Sequence, residues 1–272
     1  MNIKDAKFMT GFIRLTADAF KKGWHERNGG NLSYRISDAE IKSVAESLHK
    51  VKEWLPIENT VPDLAGEYFL VTGSGKYMRN VELAPEENLA VIVVDDAGKN
   101  YGIVWGLVNG GRPTSEMPTH LANHELKKKL TGGKNRVIYH AHPVNLIALT
   151  FVLPLNDKDF TRELWEMIME ASLIFPEGLG VVQWMVAGNK EIADATTKLM
   201  EKYRAVVWAH HGLFVCGDDF DEAFGPMDTI EKAAEICVKV RSMGGKHQTI
   251  PSEGFIQLAK NYNFNLNTDL LD

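Results

Sequence analysis

Two histidines one residue apart, His140 and His142, are the side chains whose spacing points most directly to chemistry. They end a run rich in β-branched and aromatic residues, beginning at Val137, that lies between a Gly-Gly pair and Pro143 and is typical of a strand. Side chains at i and i+2 share one face of a strand, about 6–7 Å apart along the backbone. Two imidazoles at this spacing can close on one metal ion with bonds of roughly 2.0–2.1 Å. The pair is therefore a candidate metal clamp.

A third imidazole follows another apolar strand candidate, Ala205 to Trp208. The chain continues Ala209-His210-His211-Gly212, which places histidine at a strand end beside a flexible residue. Three neutral nitrogens that leave a fourth position open are typical of a catalytic zinc site, whereas a structural site closes its shell with four protein ligands. Nine histidines in 272 residues also allow an accidental His-x-His pair in solvent, so the spacing alone leaves both interpretations open.

The composition is typical of a globular protein, with 44% hydrophobic and 24% charged residues. A net charge of −6 offers no basic surface for nucleic acid or an anionic membrane, and no apolar run approaches the roughly 18 residues that span a bilayer. The residues after Met1 lack the basic and then apolar layout of a signal peptide. Cys216 and Cys237 lie in no Cys-x-x-Cys pair, so sulfur-bound zinc is not predicted. We expect a cytoplasmic protein that binds neither nucleic acid nor membrane.

Hydrophobic periodicity and turn residues predict the elements that must hold the histidines. Besides the two above, the predicted strands cover residues 32–36, 67–72, 89–95, 101–107, 179–184 and 213–216. The predicted helices cover residues 5–22, 39–54 with Asp38 as N-cap, a stretch from an N-cap at Thr114 or Ser115 to Leu130, 144–152, 159–172, 189–203 and 221–243. Strands and helices are mixed, without the strict alternation of an eight-fold barrel. The sequence therefore predicts an α/β protein with a single domain over residues 1–272, a central mixed and mostly antiparallel β-sheet, and helices on both faces.

A glycine-rich turn, Gly73-Ser74-Gly75-Lys76, follows the strand predicted at residues 67–72. It has the spacing of neither Gly-x-x-x-x-Gly-Lys-Ser/Thr nor Gly-x-Gly-x-x-Gly, so a nucleotide site is not predicted. The backbone amides of such a turn, together with the Ser74 hydroxyl, can bind a phosphate group. An ordinary tight turn is the alternative interpretation.

Five motifs together make the sequence resemble the class II aldolase/adducin family. They occur in the family's order and spread over most of the chain: Glu26-Arg27-Asn28-Gly29-Gly30-Asn31, Thr72-Gly73-Ser74-Gly75-Lys76, Pro113-Thr114-Ser115-Glu116, His140-Ala141-His142 and His211-Gly212. Three longer stretches resemble the branch of the family that acts on L-rhamnulose 1-phosphate: residues 145–150, 175–178 and 242–245. The resemblance implies a lyase that cleaves a ketose 1-phosphate into dihydroxyacetone phosphate and an aldehyde, here L-lactaldehyde.

The resemblance also implies a metal centre. His140, His142 and His211 match the ligands of one Zn²⁺ per subunit, and His211 is chosen over His210 because the family's histidine directly precedes the glycine. Such an ion can stabilise the negative charge of an enediolate as a Lewis acid, so no Schiff-base lysine is required. Relatives are homotetramers with active sites between subunits, and we expect the same here.

Further roles follow from the same resemblance. Glu116 matches the carboxylate that takes the proton α to the carbonyl in condensation. The alternative explanation is that carboxylates are favoured near helix N-termini. Glu170 is the candidate for the second acid or base, and a solvated carboxylate on a helix is the alternative. The residues that match the family's phosphate-binding loops are Asn28, Gly30, Asn31, Ser74, Gly75, Thr114 and Ser115.

Four alternatives remain open from the sequence. Within the family, the activity could be L-fuculose 1-phosphate cleavage or pentulose 5-phosphate 4-epimerisation, although the additional segment from Ser37 to Glu67 favours the rhamnulose branch. An adducin-like interaction module would share the fold without the catalytic role, but it predicts missing ligands or a missing base. A purely structural metal predicts that chelation unfolds the protein.

Overall fold

A sheet of nine strands organises the part of the chain that the structure describes. In this computed structural model, residues 1–271 are described. In chain order the strands are β1 Asn31–Ile36, β2 Trp54–Pro56, β3 Tyr68–Thr72, β4 Leu89–Val94, β5 Asn100–Gly106, β6 Val137–Ala141, β7 Gly180–Val182, β8 Ala205–Trp208 and β9 Gly212–Gly217. Their order across the sheet is β2-β5-β4-β3-β1-β6-β9-β8-β7. Neighbours pair antiparallel except β7 and β8, which are parallel, so the predicted mixed and mostly antiparallel sheet is confirmed.

Helices cover both faces of this sheet. They are α1 Lys7–Lys21, α2 Asp38–Val44, α3 Pro85–Asn88, α4 Met117–Thr131, α5 Val144–Leu149, α6 Asp157–Trp165, α7 Met169–Ile174, α8 Lys190–Met200, α9 Phe220–Ser242 and α10 Ser252–Tyr262. Successive side chains of a strand point to opposite faces. Along β6, Val137 and Tyr139 therefore join a buried cluster with residues of α1 and α9, whereas Ile138 packs in another cluster with Ile192 of α8. The prediction of helices on both faces is confirmed.

The helix predicted over residues 39–54 is wrong beyond Val44. Ser37, not Asp38, is the N-cap, and its side chain and backbone exchange hydrogen bonds with Glu40 in a capping box. Trp54 instead begins the edge strand β2, which pairs with β5. The backbone N–H of His49 donates to the carbonyl of Val104 at 2.8 Å, so hydrogen bonds to a distant strand replace the helical ones.

The helix predicted over residues 159–172 is divided into α6 and α7. Ile168 has the extended conformation, with φ −159° and ψ 134°, and interrupts it. The buried indole of Trp165 donates to the carbonyl of Phe175 at 3.2 Å. Residues ten apart in a continuous helix would lie about 15 Å apart along its axis, so this contact requires the break.

The start of α4 also differs from the prediction, because Glu116 occupies the N-cap position assigned to Thr114 or Ser115. The hydroxyl of Thr114 instead accepts a hydrogen bond from the backbone N–H of Glu116 at 3.3 Å. Glu116 has φ −89° and ψ 13°, outside the helix proper, so its carboxylate projects from the helix start.

The longest described helix, α9, has 23 residues and carries charged side chains near both ends. Among residues 1–271, no helix combines the length with the apolar character needed to cross a bilayer.

Glu231 of α9 supports the chain just after the His-x-His pair. Its carboxylate accepts hydrogen bonds from the backbone N–H groups of Asn145 and Leu146, both at 3.0 Å, and from the Asn145 side chain at 2.7 Å. These backbone donors belong to the first turn of α5, where the helix itself provides no acceptor.

We expect Glu231→Ala to lower the free energy of unfolding by about 1–3 kcal/mol, because it leaves buried donors without acceptors. Urea unfolding followed by circular dichroism measures the change. Glu235→Ala is the matched control, since it removes a partly exposed carboxylate of the same helix whose ion pairs within residues 1–271 are with Lys232 and Lys239. Equal midpoint shifts in the two variants would contradict a capping role for Glu231.

Candidate active site

Three separated segments converge where β6 ends. In the antiparallel register, His140 of β6 lies opposite Asn31 at the start of β1, and Ala141 lies opposite Leu213 of β9. The turn from β8 to β9 carries His211, whose backbone N–H donates to the carbonyl of Trp208 at 3.1 Å. Sheet pairing therefore brings a turn residue beside two histidines that are 69 and 71 positions away in sequence.

His140, His142 and His211 form one group whose ligand nitrogens all lie within 4.8 Å of one another. The Nε2 atom of His140 is 3.2 Å from Nε2 of His142 and 3.4 Å from Nε2 of His211. Bonds of roughly 2.0–2.1 Å at tetrahedral angles place ligand nitrogens about 3.3 Å apart. The spacing therefore fits three ligands of one small divalent cation.

In His140 and His142 the ring proton is held on Nδ1, the nitrogen that points away from the cluster. His140 donates from Nδ1 to the carbonyl of Leu213 at 3.1 Å, and His142 donates from Nδ1 to the Glu26 carboxylate at 2.7 Å. A carbonyl and a carboxylate only accept, so each neutral ring leaves a lone pair on Nε2. Two lone pairs facing each other at 3.2 Å repel, and a shared cation is the arrangement that satisfies both.

Burial keeps the rings of His140 and His211 neutral. It lowers the pKa of His140 well below its usual range, and the neighbouring His142 and His211 lower it further. Burial, with a contribution from His142, also lowers the pKa of His211 to about 4. Neutral imidazole is the form that binds a metal.

His210 and His211 are adjacent but separate in space. His210 has a left-handed backbone with φ +60°, and its Nδ1 lies 3.0 Å from the hydroxyl of Thr150. Its ring packs against Phe151 with centroids 4.1 Å apart. The structure therefore brings His211, rather than His210, to the other two histidines.

Gly212 makes room for this cluster. A Cβ at this position would meet the carbonyl oxygen of Ala141 and lie 3.0 Å from both His140 Cε1 and His142 Cδ2. The Ala141 carbonyl belongs to β6 and cannot move easily, so the added methyl group would be displaced from it and would push against the two rings.

We expect Gly212→Ala to weaken metal binding by about 10–100-fold, a loss typical of residues that orient ligands. Metal content after dialysis against graded chelator measures it. Gly225→Ala is the control, because its Cβ would meet nothing within 4 Å. Unchanged affinity in Gly212→Ala would show that the rings tolerate the methyl group.

Glu116 lies beside the three imidazoles. Its Oε2 is 3.7 Å from Nε2 of His140, and its Oε1 is 4.0 Å from Nε2 of His211. The carboxylate is buried, and burial raises its pKa to about 7 despite a hydrogen bond from Asn31 that acts in the opposite direction. A carboxyl group thus stands next to the open side of the candidate metal site.

Three of the predicted phosphate-binding residues, Ser74, Thr114 and Ser115, line one cavity of about 340 Å³. Two hydrogen bonds join their loops: the N–H of Ser74 donates to the carbonyl of Arg112 at 2.8 Å, and the N–H of Thr114 donates to the carbonyl of Thr72 at 2.9 Å. Gly75 continues the Ser74 turn with φ +72°. Backbone pairing therefore gathers hydroxyl groups from two loops about forty residues apart.

The other predicted phosphate residues lie in the turn before β1. Asn28 is exposed, and Gly30 has φ +73°. A Cβ on Gly30 would meet the ring of His25 and, at 2.7 Å, the carbonyl of His140, so this turn packs closely against the end of β6. Asn31 is different, because its buried side chain contacts Glu116 and His120.

Glu170, the predicted second acid or base, is exposed in the first turn of α7. Within residues 1–271 of one chain, no hydrogen bond or ion pair links it to Glu116 or to the three histidines. The structure thus does not bring Glu170 into the site formed by a single chain.

Two groups of residues that contact the site were not predicted from the sequence. Glu26 belongs to one of the family motifs, but its role in orienting His142 was not predicted. His120 and His124 lie four and eight positions after Glu116, and Ser33 lies two after Asn31. The i+4 spacing on a helix and the i+2 spacing on a strand place each set on one face, which was the available signal.

Comparisons with known proteins agree with this arrangement. Residues 11–238 match the family model described as Class II Aldolase and Adducin N-terminal domain. The chain is 51% identical to a rhamnulose-1-phosphate aldolase of Mannheimia succiniciproducens over 96% of each protein. It is 49% identical to that of Klebsiella pneumoniae strain 342, over 96% of this chain and 95% of the relative.

A solved structure has the same fold. The sugar-phosphate aldolase from Thermotoga maritima matches with a TM-score of 0.73 and 29% identity, over 88% of this chain and 97% of that one. The predicted resemblance is therefore confirmed, and the chain belongs to the class II aldolase and adducin family.

Proposed function

We propose that this protein cleaves L-rhamnulose 1-phosphate into dihydroxyacetone phosphate and L-lactaldehyde. The observation that carries the proposal is the convergence of three imidazoles and a buried carboxylate, in a chain about half identical to rhamnulose-1-phosphate aldolases over nearly its whole length. An adducin-like module without catalytic function would need neither group.

His140, His142 and His211 are the proposed ligands of one Zn²⁺ per chain. Nitrogen ligands at this spacing, with a fourth position open, suit zinc. A divalent cation held there supplies a Lewis acid that stabilises the negative charge of the enediolate. Glu26 and the Leu213 carbonyl hold the rings of His142 and His140 in the ligating orientation.

Glu116 is the proposed group that moves the proton at C3 of the substrate. In cleavage, the C4 hydroxyl loses its proton, the C3–C4 bond breaks, and C4 becomes the carbonyl carbon of L-lactaldehyde. The electron pair stays on the three-carbon fragment as an enediolate, and Glu116 gives C3 a proton. In condensation the same carboxylate takes this proton, which lies α to the carbonyl.

The cavity lined by Ser74, Thr114 and Ser115 is the proposed site of the phosphate group. Serine and threonine hydroxyl groups can donate to phosphate oxygens, and Arg112, which also lines this cavity, carries the opposite charge. Gly75 with Asn28, Gly30 and Asn31 would complete this site from the adjoining turns.

Glu170 is the proposed group that takes the C4 hydroxyl proton, acting from a neighbouring subunit. Its carboxylate is exposed on α7, and no hydrogen bond or ion pair within residues 1–271 ties it to the cluster of its own chain, which supports a role at a site on another chain. The proposal therefore includes a homotetramer with active sites between subunits. Analytical ultracentrifugation tests the assembly, and a monomer with full activity would rule out this role.

We also propose that residues 1–272 form one catalytic domain located in the cytoplasm. The sheet and its two helical layers involve elements from both ends of the described chain, including α1 and α10. Cys216 and Cys237 are both free and buried, which fits a reducing compartment.

The substrate proposal is tested by comparing kcat/KM for three sugar phosphates. We expect L-rhamnulose 1-phosphate to exceed L-fuculose 1-phosphate and a pentulose 5-phosphate by at least about tenfold, since hydroxyl positions are read by hydrogen bonds. Preferential fuculose cleavage or epimerisation would replace the proposed substrate. A folded protein without metal or activity would support the adducin-like alternative.

A further inference from the structure

A chain of four buried hydrogen bonds extends from Glu116 into the protein between α4 and β1. The Asn31 amide nitrogen lies 2.8 Å from Oε2 of Glu116, and the Asn31 carbonyl oxygen contacts Nε2 of His120. Nδ1 of His120 is 2.7 Å from the hydroxyl of Ser33, which is 2.8 Å from Nε2 of His124. All four of these supporting residues are buried, so water does not compete for the contacts.

The two histidines in this chain are neutral, because burial lowers the pKa of His120 to about 3 and that of His124 well below its usual range. Each ring therefore carries one proton, and Ser33 has one to donate. A single choice of direction consequently fixes every hydrogen bond in the chain.

One direction satisfies every proton in this chain. His124 donates from Nε2 to Ser33, Ser33 donates to Nδ1 of His120, and His120 donates from Nε2 to the Asn31 carbonyl. The Asn31 amide N–H then faces the Glu116 carboxylate. The nitrogen left over, Nδ1 of His124, has no partner among residues 1–271, and in this direction it carries no proton.

The opposite direction has two costs. It puts the His124 proton on the unpartnered Nδ1, which leaves a buried N–H without an acceptor. It also turns the Asn31 amide, so that its carbonyl oxygen meets the Glu116 carboxylate at the 2.8 Å contact. The ionised form of Glu116, which takes the proton in condensation, is an acceptor, and two acceptors at that distance repel each other.

We propose that His120 is a positioning residue for Glu116: by donating from Nε2 it locks the Asn31 amide with its N–H toward the carboxylate. This inference rests on the proposed proton transfer by Glu116. Asn31 is the only hydrogen-bond partner of this carboxylate within the described residues. The lock therefore fixes Oε2 and leaves Oε1 free on the side of His211.

The proposal gives Asn31 a second role beside phosphate binding, for which the other N–H of its amide group remains. Its carbonyl oxygen is occupied by His120, and its amide group is directed at Glu116. Ser33 and His124 act further back, by fixing which nitrogen of His120 carries the proton.

The direction of the chain is tested in the wild-type protein without any assay of activity. Spectra of protein labelled with ¹⁵N-histidine distinguish the two neutral tautomers, and His120→Gln and His124→Gln each remove the signal that assigns its own ring. We expect both rings to be neutral with the proton on Nε2 near neutral pH. A proton on Nδ1 of His120 would overturn the proposal.

The effect on catalysis is tested with two amides at position 120. The glutamine amide lies near the place of Nε2, so His120→Gln keeps a donor for Asn31. The asparagine amide lies near Nδ1, so His120→Asn keeps a partner for Ser33 alone. We expect kcat to fall by about 10–100-fold in His120→Asn, with KM within about threefold, and to recover most of that loss in His120→Gln.

A purely structural role gives a different result, because kcat would then follow the loss of stability of each amide variant and not the place of its donor. Thr161→Val is the control for a loss of stability that does not involve position 120. It removes a buried hydroxyl of α6 that accepts a hydrogen bond from the backbone N–H of Leu179 at 2.9 Å. Equal kcat for the two amide variants, whether high or low, would overturn the positioning role.

Failure of the proposed function can be recognised separately. A wild-type protein that cleaves no sugar phosphate would refute the aldolase proposal, and the tautomer spectra would still decide the direction of the chain. An active wild type in which His120→Asn keeps full kcat would refute the positioning role alone.

Discussion

Glu116→Gln is expected to remove most of the turnover while leaving the fold and the metal content intact. Glutamine has nearly the same shape, and its carbonyl can still accept the hydrogen bond from Asn31. It cannot take a proton from C3 or return one. Because general acid–base catalysis contributes about 10²–10⁴-fold, we expect kcat to fall by that factor.

Three measurements on the same preparation test this expectation: kcat for L-rhamnulose 1-phosphate, metal per chain, and the unfolding midpoint. Glu125→Gln is the matched control, since this carboxylate of α4 accepts a hydrogen bond from the backbone N–H of Asp63 at 2.9 Å and, within residues 1–271, has no hydrogen bond to Glu116 or the three histidines. Its kcat should be normal. If Glu116→Gln keeps a kcat within about threefold of the wild type, Glu116 does not move the proton.

His142→Ala is expected to lose metal and activity together. The substitution removes one of the three candidate ligand nitrogens. Nε2 of His140 lies 3.2 Å from Nε2 of His142 and 3.4 Å from Nε2 of His211. Loss of a residue that merely orients a ligand costs about 10–100-fold in metal affinity, so loss of a ligand should cost at least the upper end of that range. The Glu26 carboxylate would also lose its hydrogen-bond donor.

Metal analysis after dialysis and kcat at saturating zinc measure the two losses. His210→Ala is the control, because His210 lies next to His211 in sequence but contacts Thr150 and Phe151 instead of the cluster. It should keep metal and turnover. Full zinc occupancy in His142→Ala would remove His142 from the ligand set.

Chelation of the wild type separates a catalytic ion from a structural one. The candidate ligands are held by sheet pairing and by the Leu213 carbonyl, none of which requires an ion. We therefore expect EDTA to stop turnover without unfolding the protein, and cooperative unfolding on chelation would indicate a structural metal.

The sequence by itself determined features that depend on residues close in the chain. His140 and His142 were expected to lie together because side chains in a strand repeat every two residues, and they do, although β6 ends at Ala141 and His142 is the first residue after it. The β4–β5 hairpin follows from two apolar runs with turn residues between them. Asn189 was rightly expected to begin a helix, because its side chain can accept from the N–H of Ile192, three residues ahead.

The predictions that were wrong involve contacts with distant residues. The helical periodicity after Asp38 ends at Val44 because the following segment pairs with β5. The helix predicted over residues 159–172 breaks because Trp165 bonds to the carbonyl of Phe175. Local propensity is weak, about 1 kcal/mol or less per ordinary residue, so hydrogen bonds and burial against another element override it.

Spacing alone could not distinguish His210 from His211, and the family resemblance selected His211. Only the tertiary structure shows the physical reason, which is the left-handed turn at His210, and what lies behind Glu116. The contact of His120 with Asn31 joins residues 89 positions apart, which no local pattern specifies. Repeats of two and four residues determine which side chains share a face, whereas packing of α4 on the sheet determines what that face meets.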